Sequence, residues 1–246
     1  MTDPLSFRIK KKIDRYIHDP IVALIILPFF LILKILPFKI SSLICGSLVY
    51  LIAPFTKYQK RVLNNLNIAF PQKKEAEKIK ISKRFWFNFG QIIGELPHID
   101  KIISSKKILI SGHKKIQKGP AILIGAHLAN WEFLLRVGEM SGRRVSFVYR
   151  PINNWILNKL QFSRNSKINA DFFKKGRAAA IGMANKLKKG EVIGLTNDQI
   201  LREGIMVPFF GKKTPTPQAA AIMSLKWNVP IFMAVSYTHL TLPTNA

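Results

Sequence analysis

The chain is poor in cysteine and in acid. Cys45 is its one thiol in 246 residues, which excludes a disulfide scaffold and a cysteine-rich zinc module. Thirteen Asp and Glu stand against 39 Lys and Arg, so an acidic solvating protein is excluded as well. No G-x-G-x-x-G and no Gly-rich P-loop occurs, which argues against nucleotide chemistry. No cluster of His, Cys and acid has ligand spacing, so neither a metal nor a cofactor is implied. No internal repeat or low-complexity block is present. Finally, no unbroken apolar run reaches the ~20 residues of a comfortable membrane-spanning helix.

What is present is a core. At 48% hydrophobic residues the chain is too apolar for intrinsic disorder, and its length suffices for one large domain or two small ones. A net charge of +26 points to anionic partners: nucleic acid, a membrane surface, an acidic protein or a phosphate-bearing substrate. A codon bias toward Lys, Ile and Asn is the bland explanation of part of that excess.

The two ends differ from the middle. Ile21 to Leu33 carries no charge, Lys34 interrupts, and a second apolar stretch runs from Ile40 to Phe55. Read through Lys34, the segment from Pro20 to Phe38 is long enough to cross a bilayer with that lysine snorkelling. A cleaved signal peptide fits poorly, since Asp14 and Asp19 precede the run and no A-x-A site follows it. Arg8, Lys10, Lys11, Lys12 and Arg15 favour a cytoplasmic N-terminus, whereas Lys57, Lys60 and Arg61 oppose a simple single crossing. The expectation is a membrane-anchoring helical segment over 1–56, monotopic or shallow-spanning, with a buried core hairpin as the alternative. At the other end, residues 236–246 read SYTHLTLPTNA, without a charge. They look like a non-native tail, and His239 within them is discounted as a ligand or catalyst.

Between these ends, residues 57–235 predict an α/β domain. Helical spacing runs over 57–69, ended by Phe70-Pro71, and over 72–96, where Phe85, Phe89, Ile92 and Ile93 share one face and read as core. Short apolar runs bounded by Gly and Pro predict strands at 107–111, 121–125, 144–149, 191–196 and 230–235. Helices are expected at 130–140, 154–161 and 177–188, and after Thr216-Pro217. Strands alternating with helices indicate a largely parallel sheet flanked by helices, with its site at the carboxyl ends of the strands.

The first such strand end is AILIGAHLANWE. It delivers His127 onto a loop with Glu132 five positions on. On an ideal helix five residues lie about 140° out of phase, so the two meet only with His127 before the helix and Glu132 within its first turns. A carboxylate on one imidazole nitrogen fixes the tautomer and leaves the other nitrogen as a base. Alone, a His-x4-Glu pair also fits a hydrogen-bonded histidine at a helix start. His18, His98 and His113 match no motif and read as surface or interfacial.

Further stretches stand in order around the pair: RVLNNLNIAFP (61–71), NFGQIIGE (88–95), YRPINN (149–154), KKGRAA (174–179), Asp198-Gln199 and GIMVPFFGKKTPTP (204–217). With GAHLANWE (125–132), they make the chain resemble the bacterial lipid A biosynthesis (late) acyltransferases from about Lys39 to Val235. The resemblance implies a glycerolipid acyltransferase-like fold and transfer of a fatty acyl chain from an acyl-carrier-protein thioester to a hydroxyl of a lipid A precursor. It implies His127 as general base, Glu132 as its orienting partner, and no covalent enzyme intermediate. Arg150, Arg164, Lys175 and Arg177 would meet the phosphates of acceptor and donor, guanidinium forks suiting phosphate. Arg164 sits in a thinner version of the family's arginine-rich stretch, and Lys175 and Arg177 fit a solvated helix start nearly as well. Asp198 would hold Arg150 or Arg164, or cap its loop. The implied partners are an acidic acyl carrier protein, the anionic lipid A precursor and the cytoplasmic face of the bacterial inner membrane, not nucleic acid. Family members usually continue past the point matching Val235, so the domain reads as truncated there.

Two other functions remain open from sequence. One keeps the pair but acylates a glycerol-phosphate or other glycolipid hydroxyl. The other is a non-enzymatic basic protein binding membrane or nucleic acid; it explains the charge but not why scarce acids fall at strand ends beside His127 and after EVIGLT.

Overall fold

The computed structural model describes residues 9, 12–105, 108, 111–116, 118–165 and 168–237, the side chains of 139 and 162–165 excepted. Of the strand expected at 107–111, residues 107, 109 and 110 fall outside them, and so does the tail from 238 onward.

Two apolar helices lead. A π-helical turn at Asp14–His18 runs into α1 (Asp19–Ile35), which has proline in its first turn. Leu36 is extended because Pro37 follows, and α2 (Phe38–Ile52) starts at once. Together with their flanking turns, Asp14–Ile35 and Phe38–Phe55 are long and apolar enough to cross a membrane by length and composition. Next come α3 (Lys57–Ala69) and α4 (Glu75–Glu95), close to the expected helices.

The helix α2 packs antiparallel along α4, and the approach is close because the contact is built from small residues. A Cβ on Gly90 would lie 2.3 Å from the Cys45 carbonyl oxygen, and one on Gly94 would lie 2.3 Å from that of Ser41. Gly90→Ala is therefore expected to push α2 off α4 at a cost of roughly 1–3 kcal/mol. The measurement is thermal unfolding of the purified variant; an unchanged midpoint would contradict the contact.

A 3-10 turn, Leu96–His98, and short α5 (Ile99–Ser104) lead into the α/β body. Its five-stranded sheet has the order β3-β2-β4-β1-β7, formed by β1 (Ala121–Gly125), β2 (Val145–Tyr149), β3 (Ala170–Lys174), β4 (Val192–Thr196) and β7 (Ile231–Ala234). All its pairings are parallel, as expected from the alternation of strands and helices. The helices between are α6 (Val137–Ser141), α7 (Trp155–Asn165), α8 (Arg177–Lys188) and α9 (Ala219–Trp227). The segment expected as a helix at 130–140 begins as a 3-10 helix, Trp131–Arg136.

Side chains alternate across the sheet. Ile122 and Ile193 face Met183 and Leu187 of α8 and Met223 of α9. Ala121, Leu123, Val145 and Val192 face the other side with Ile116. Fully burying an aliphatic side chain of this size stabilises the fold by roughly 1.5–3 kcal/mol.

Three strands were not foreseen. The edge strand β3 (ADFFK) has a lysine and an aspartate in five residues, and no flanking proline or glycine marks its start. The other two, β5 (Ile205–Phe209) and β6 (Lys212–Thr216), form an antiparallel hairpin apart from the main sheet, each with an internal proline that sequence rules count against a strand.

At the N-terminal edge of β3 the Asp171 carboxylate meets Arg144 and Lys186, each at 2.6 Å, and Lys186 also reaches Glu191 at 2.9 Å. Burial works to raise the Asp171 pKa, but the bonds and charges of Lys186 and Arg144 outweigh it and hold the carboxyl below its usual range. A lowered folded-state value means that this contribution is present above the unfolded value of about 3.9 and is lost as pH falls through the folded one. Asp171→Asn should therefore flatten the loss of stability on acidification below about pH 4, read by urea unfolding at stepped pH. An equally steep loss in the variant would refute the linkage.

Candidate active site

The parallel register of β1 and β4 builds the site. Gly125 pairs with Thr196, and the Asn197 N–H continues the ladder to the Gly125 carbonyl at 3.1 Å. His127 and Asp198 each stand two residues beyond that last pair, so the two strands deliver them side by side. The Asp198 carboxylate accepts the His127 backbone N–H at 2.7 Å and lies 2.9 Å from the ring Nδ1. With Nδ1–H donating to Asp198, Nε2 keeps its lone pair, and the Gln199 side-chain nitrogen stands 3.4 Å from it. The Trp131 ring packs edge-on against the imidazole, centroids 5.0 Å apart.

The carboxylate beside the ring Nδ1 is that of Asp198, which engages the histidine rather than only capping its loop, and Glu132 of the motif lines the same small cavity as His127. The chain turns between His127 and Glu132: Leu128 N–H bonds to the Ala126 carbonyl, and Ala129 takes a left-handed φ of 45°. Trp131 then opens a 3-10 helix with Glu132 in its first turn, and Glu132 lines the smaller cavity along with His127 and Trp131. Its peptide N–H is held by the Asn130 side chain at 3.2 Å. The parallel pairing of adjacent strands was the signal available for Asp198, but it cannot be read until the strand order is known.

Two cavities meet at His127 and Trp131. The smaller, about 220 Å³, lies under the strand ends and is lined by Glu132, Arg150, Gln161 and Gln199 among others. The larger, about 940 Å³, is apolar and runs along α4 past Phe85, Phe89 and Ile92 to the α1–α2 junction at Ile35–Phe38. The aromatic stripe of α4 expected as core therefore walls a cavity, and Phe85 is 45% exposed.

The other basic candidates are spread out. Arg150 lines the smaller cavity. Lys175 and Arg177 are exposed at the carboxyl end of edge strand β3, three strand positions from β1, or about 14 Å at the usual spacing. Arg164 falls in the last turn of α7, and its side chain lies outside the described residues. Among the other histidines, His18 lies beside Asp19, 3.5 Å away. His98 is 2% exposed and interfacial, its Nε2 donating to the Leu33 carbonyl at 2.8 Å. Among the described residues no group of three or more His, Cys, Asp or Glu is placed to hold a metal ion.

A residue that sequence reasoning passed over supports the loop. Glu95, the last residue of NFGQIIGE, accepts from Ser42 of α2 at 3.0 Å and from Asn130 at 2.8 Å. Asn130 is fully buried, so this chain of bonds fixes the loop that carries His127 against the N-terminal helices.

The chain finds no match among curated proteins. A family model described as bacterial lipid A biosynthesis acyltransferase matches it over residues 8–239.

Proposed function

From the premise that the chain belongs to the bacterial lipid A biosynthesis acyltransferases and is an acyltransferase, we propose that His127 is the general base for attack of a lipid A precursor hydroxyl on an acyl-carrier-protein thioester. The observation that carries this is the ring geometry: Nδ1 is bonded to Asp198 at 2.9 Å, which leaves Nε2 as the acceptor nitrogen where the two cavities meet. The Gln199 amide near Nε2 marks the place that the hydroxyl takes.

In this mechanism the acceptor oxygen bonds to the thioester carbonyl carbon as Nε2 takes its proton. The tetrahedral adduct then collapses with loss of the C–S bond, and the imidazolium returns the proton to the departing thiolate. The products are an ester and a free thiol, with no acyl-enzyme. Asp198 holds the tautomer and steadies the imidazolium. The apolar cavity takes acyl chains. Arg150, at the smaller cavity, suits a phosphate, and Glu132 adds a second carboxylate to the same wall. Lys175 and Arg177 add cationic surface at the carboxyl end of β3, and Arg164 is proposed, from the stretch it belongs to, as a further contact to phosphate. The excess of basic residues suits both proposed partners, an acidic carrier protein and an anionic lipid of the cytoplasmic leaflet of the inner membrane.

The test is one assay with two acceptors. Purified protein is given acyl-carrier-protein thioester with lipid A precursor or with glycerol 3-phosphate, and the products are read by mass spectrometry. Acylation of the lipid A precursor in preference to glycerol 3-phosphate is expected. The reverse preference would replace the acceptor, and sequence-independent DNA binding without turnover on either would end the enzymatic reading.

A further inference from the structure

We infer that neither apolar N-terminal helix crosses the bilayer: both lie in the plane of one anionic leaflet, held flat by polar ties to the catalytic body. This rests on the membrane association in the proposed function and goes beyond it by fixing the mode of attachment.

The ties stand at opposite ends of α1. At its start, the Asn154 side chain donates to the Asp19 carbonyl at 2.8 Å, and the Trp155 backbone N–H donates to the Asp19 carboxylate at 3.2 Å. The Trp155 indole N–H donates to the Arg15 carbonyl at 3.0 Å. Both partners open α7 of the α/β body. Near the end of α1, the Leu33 carbonyl accepts from His98 at 2.8 Å and from Ser41 at 2.7 Å. His98 belongs to the same body, because the next helix, α5, is bound to it by the ion pair of Asp100 with Arg136 at 2.9 Å. Asp19 and Leu33 are 14 positions apart, about 21 Å of helix. A helix crossing a hydrocarbon layer roughly 30 Å thick must carry one end away from the domain; this one has both ends on it.

The second helix is excluded from crossing by its neighbour. Because α2 runs antiparallel to α4, its start lies beside Gly94 and its far end beside Lys83, whose ammonium stands 5.8 Å from the Tyr50 ring centroid. That half of α4 carries Lys78, Lys80, Lys83 and Arg84 next to Glu75 and Glu77. Such a segment stays in water or among headgroups, and α2 stays at the same depth.

What remains is an apolar outer surface on a flat hairpin. On α1, Leu24, Ile25, Leu31, Ile32 and Ile35 are 57–84% exposed, and beyond α2 Phe55 is 91% exposed. Lys34, Lys39 and Lys57 are exposed beside these residues, the arrangement that binds an in-plane helix to anionic lipid. The large cavity begins at Ile35–Phe38, between the two helices, so acyl chains can pass from the leaflet to His127 without entering water.

The test is depth measurement on the full-length protein. With Cys45→Ala as background, Ile21→Cys and Ile32→Cys, 54% and 57% exposed and outside the cavity lining, are spin-labelled one at a time on vesicles of phosphatidylethanolamine and phosphatidylglycerol. Both positions are exposed, so labelling leaves the packing intact, and acyl transfer in detergent reports whether each variant is folded. The two sites share one helix face. An in-plane helix gives them equal depth within about 5 Å, whereas a crossing helix separates them by about 16 Å. The larger separation would overturn the inference while leaving the proposed reaction standing. Failure to bind vesicles at all, with acyl transfer in detergent retained, would overturn both the inference and the membrane association. Replacing phosphatidylglycerol by phosphatidylcholine should weaken binding at least roughly tenfold; equal binding would remove the anionic leaflet as the partner.

Discussion

His127→Ala is expected to lower kcat for acyl transfer by roughly 10³-fold or more, with binding of both substrates retained. The imidazole touches no core group, and its side chain is 31% exposed, so the loss does not come from unfolding. It comes from the missing proton acceptor: a neutral hydroxyl attacks a thioester slowly, and no other described group occupies the place of Nε2. Carrier-protein binding measured separately should hardly change, because the cationic surface is untouched. Full turnover by the variant would remove His127 from the mechanism, and a loss confined to KM would make it a binding residue.

Asp198→Asn is expected to cost nearly as much, roughly 10²–10⁴-fold in kcat. The exchange keeps size and shape but replaces a two-oxygen acceptor with an amide. One oxygen can still accept the His127 backbone N–H, now 2.7 Å from the carboxylate. The amide nitrogen then faces Nδ1 and demands a lone pair there, which puts the proton on Nε2 and removes the base. A thermal midpoint near that of the parent protein, with kcat lost and KM held, is the signature of this effect. Glu132→Gln assayed in parallel decides between the two carboxylates. The contacts at the ring predict the larger loss at Asp198, and a larger loss at Glu132 would return the orienting role to the His-x4-Glu pair.

Much of the framework could be read along the chain because it depends on local pattern. The apolar runs at 121–125 and 192–196 have the length of buried strands. Their flanking Gly and Pro mark their ends, and helical periodicity placed α3, α4 and α8 within a few residues. What escaped was either locally unfavourable or long-range. The polar edge strand β3 and the proline-bearing hairpin β5–β6 are held by pairing with a neighbour, and that outweighs their weak propensity. The aromatic stripe of α4 has the same spacing whether it faces packed side chains or a cavity; only its neighbours distinguish the two.

The scarcity of acid tells the same story. With 13 acidic residues in the chain, Glu132 and Asp198 stood out from sequence, and the ordered motifs marked out the family. Residue types, strand ends and the histidine were therefore determined by sequence alone. The choice of carboxylate was made by the tertiary structure. A parallel pairing brings residues 71 positions apart to equal steps beyond Gly125 and Thr196, and no local spacing in the chain encodes that. The same holds for the N-terminal helices. Composition made them apolar, but hydrogen bonds from His98, Asn154 and Trp155 decide where the ends of α1 lie, and close packing on α4 decides where α2 lies, because such contacts fix position and hydrophobicity alone does not.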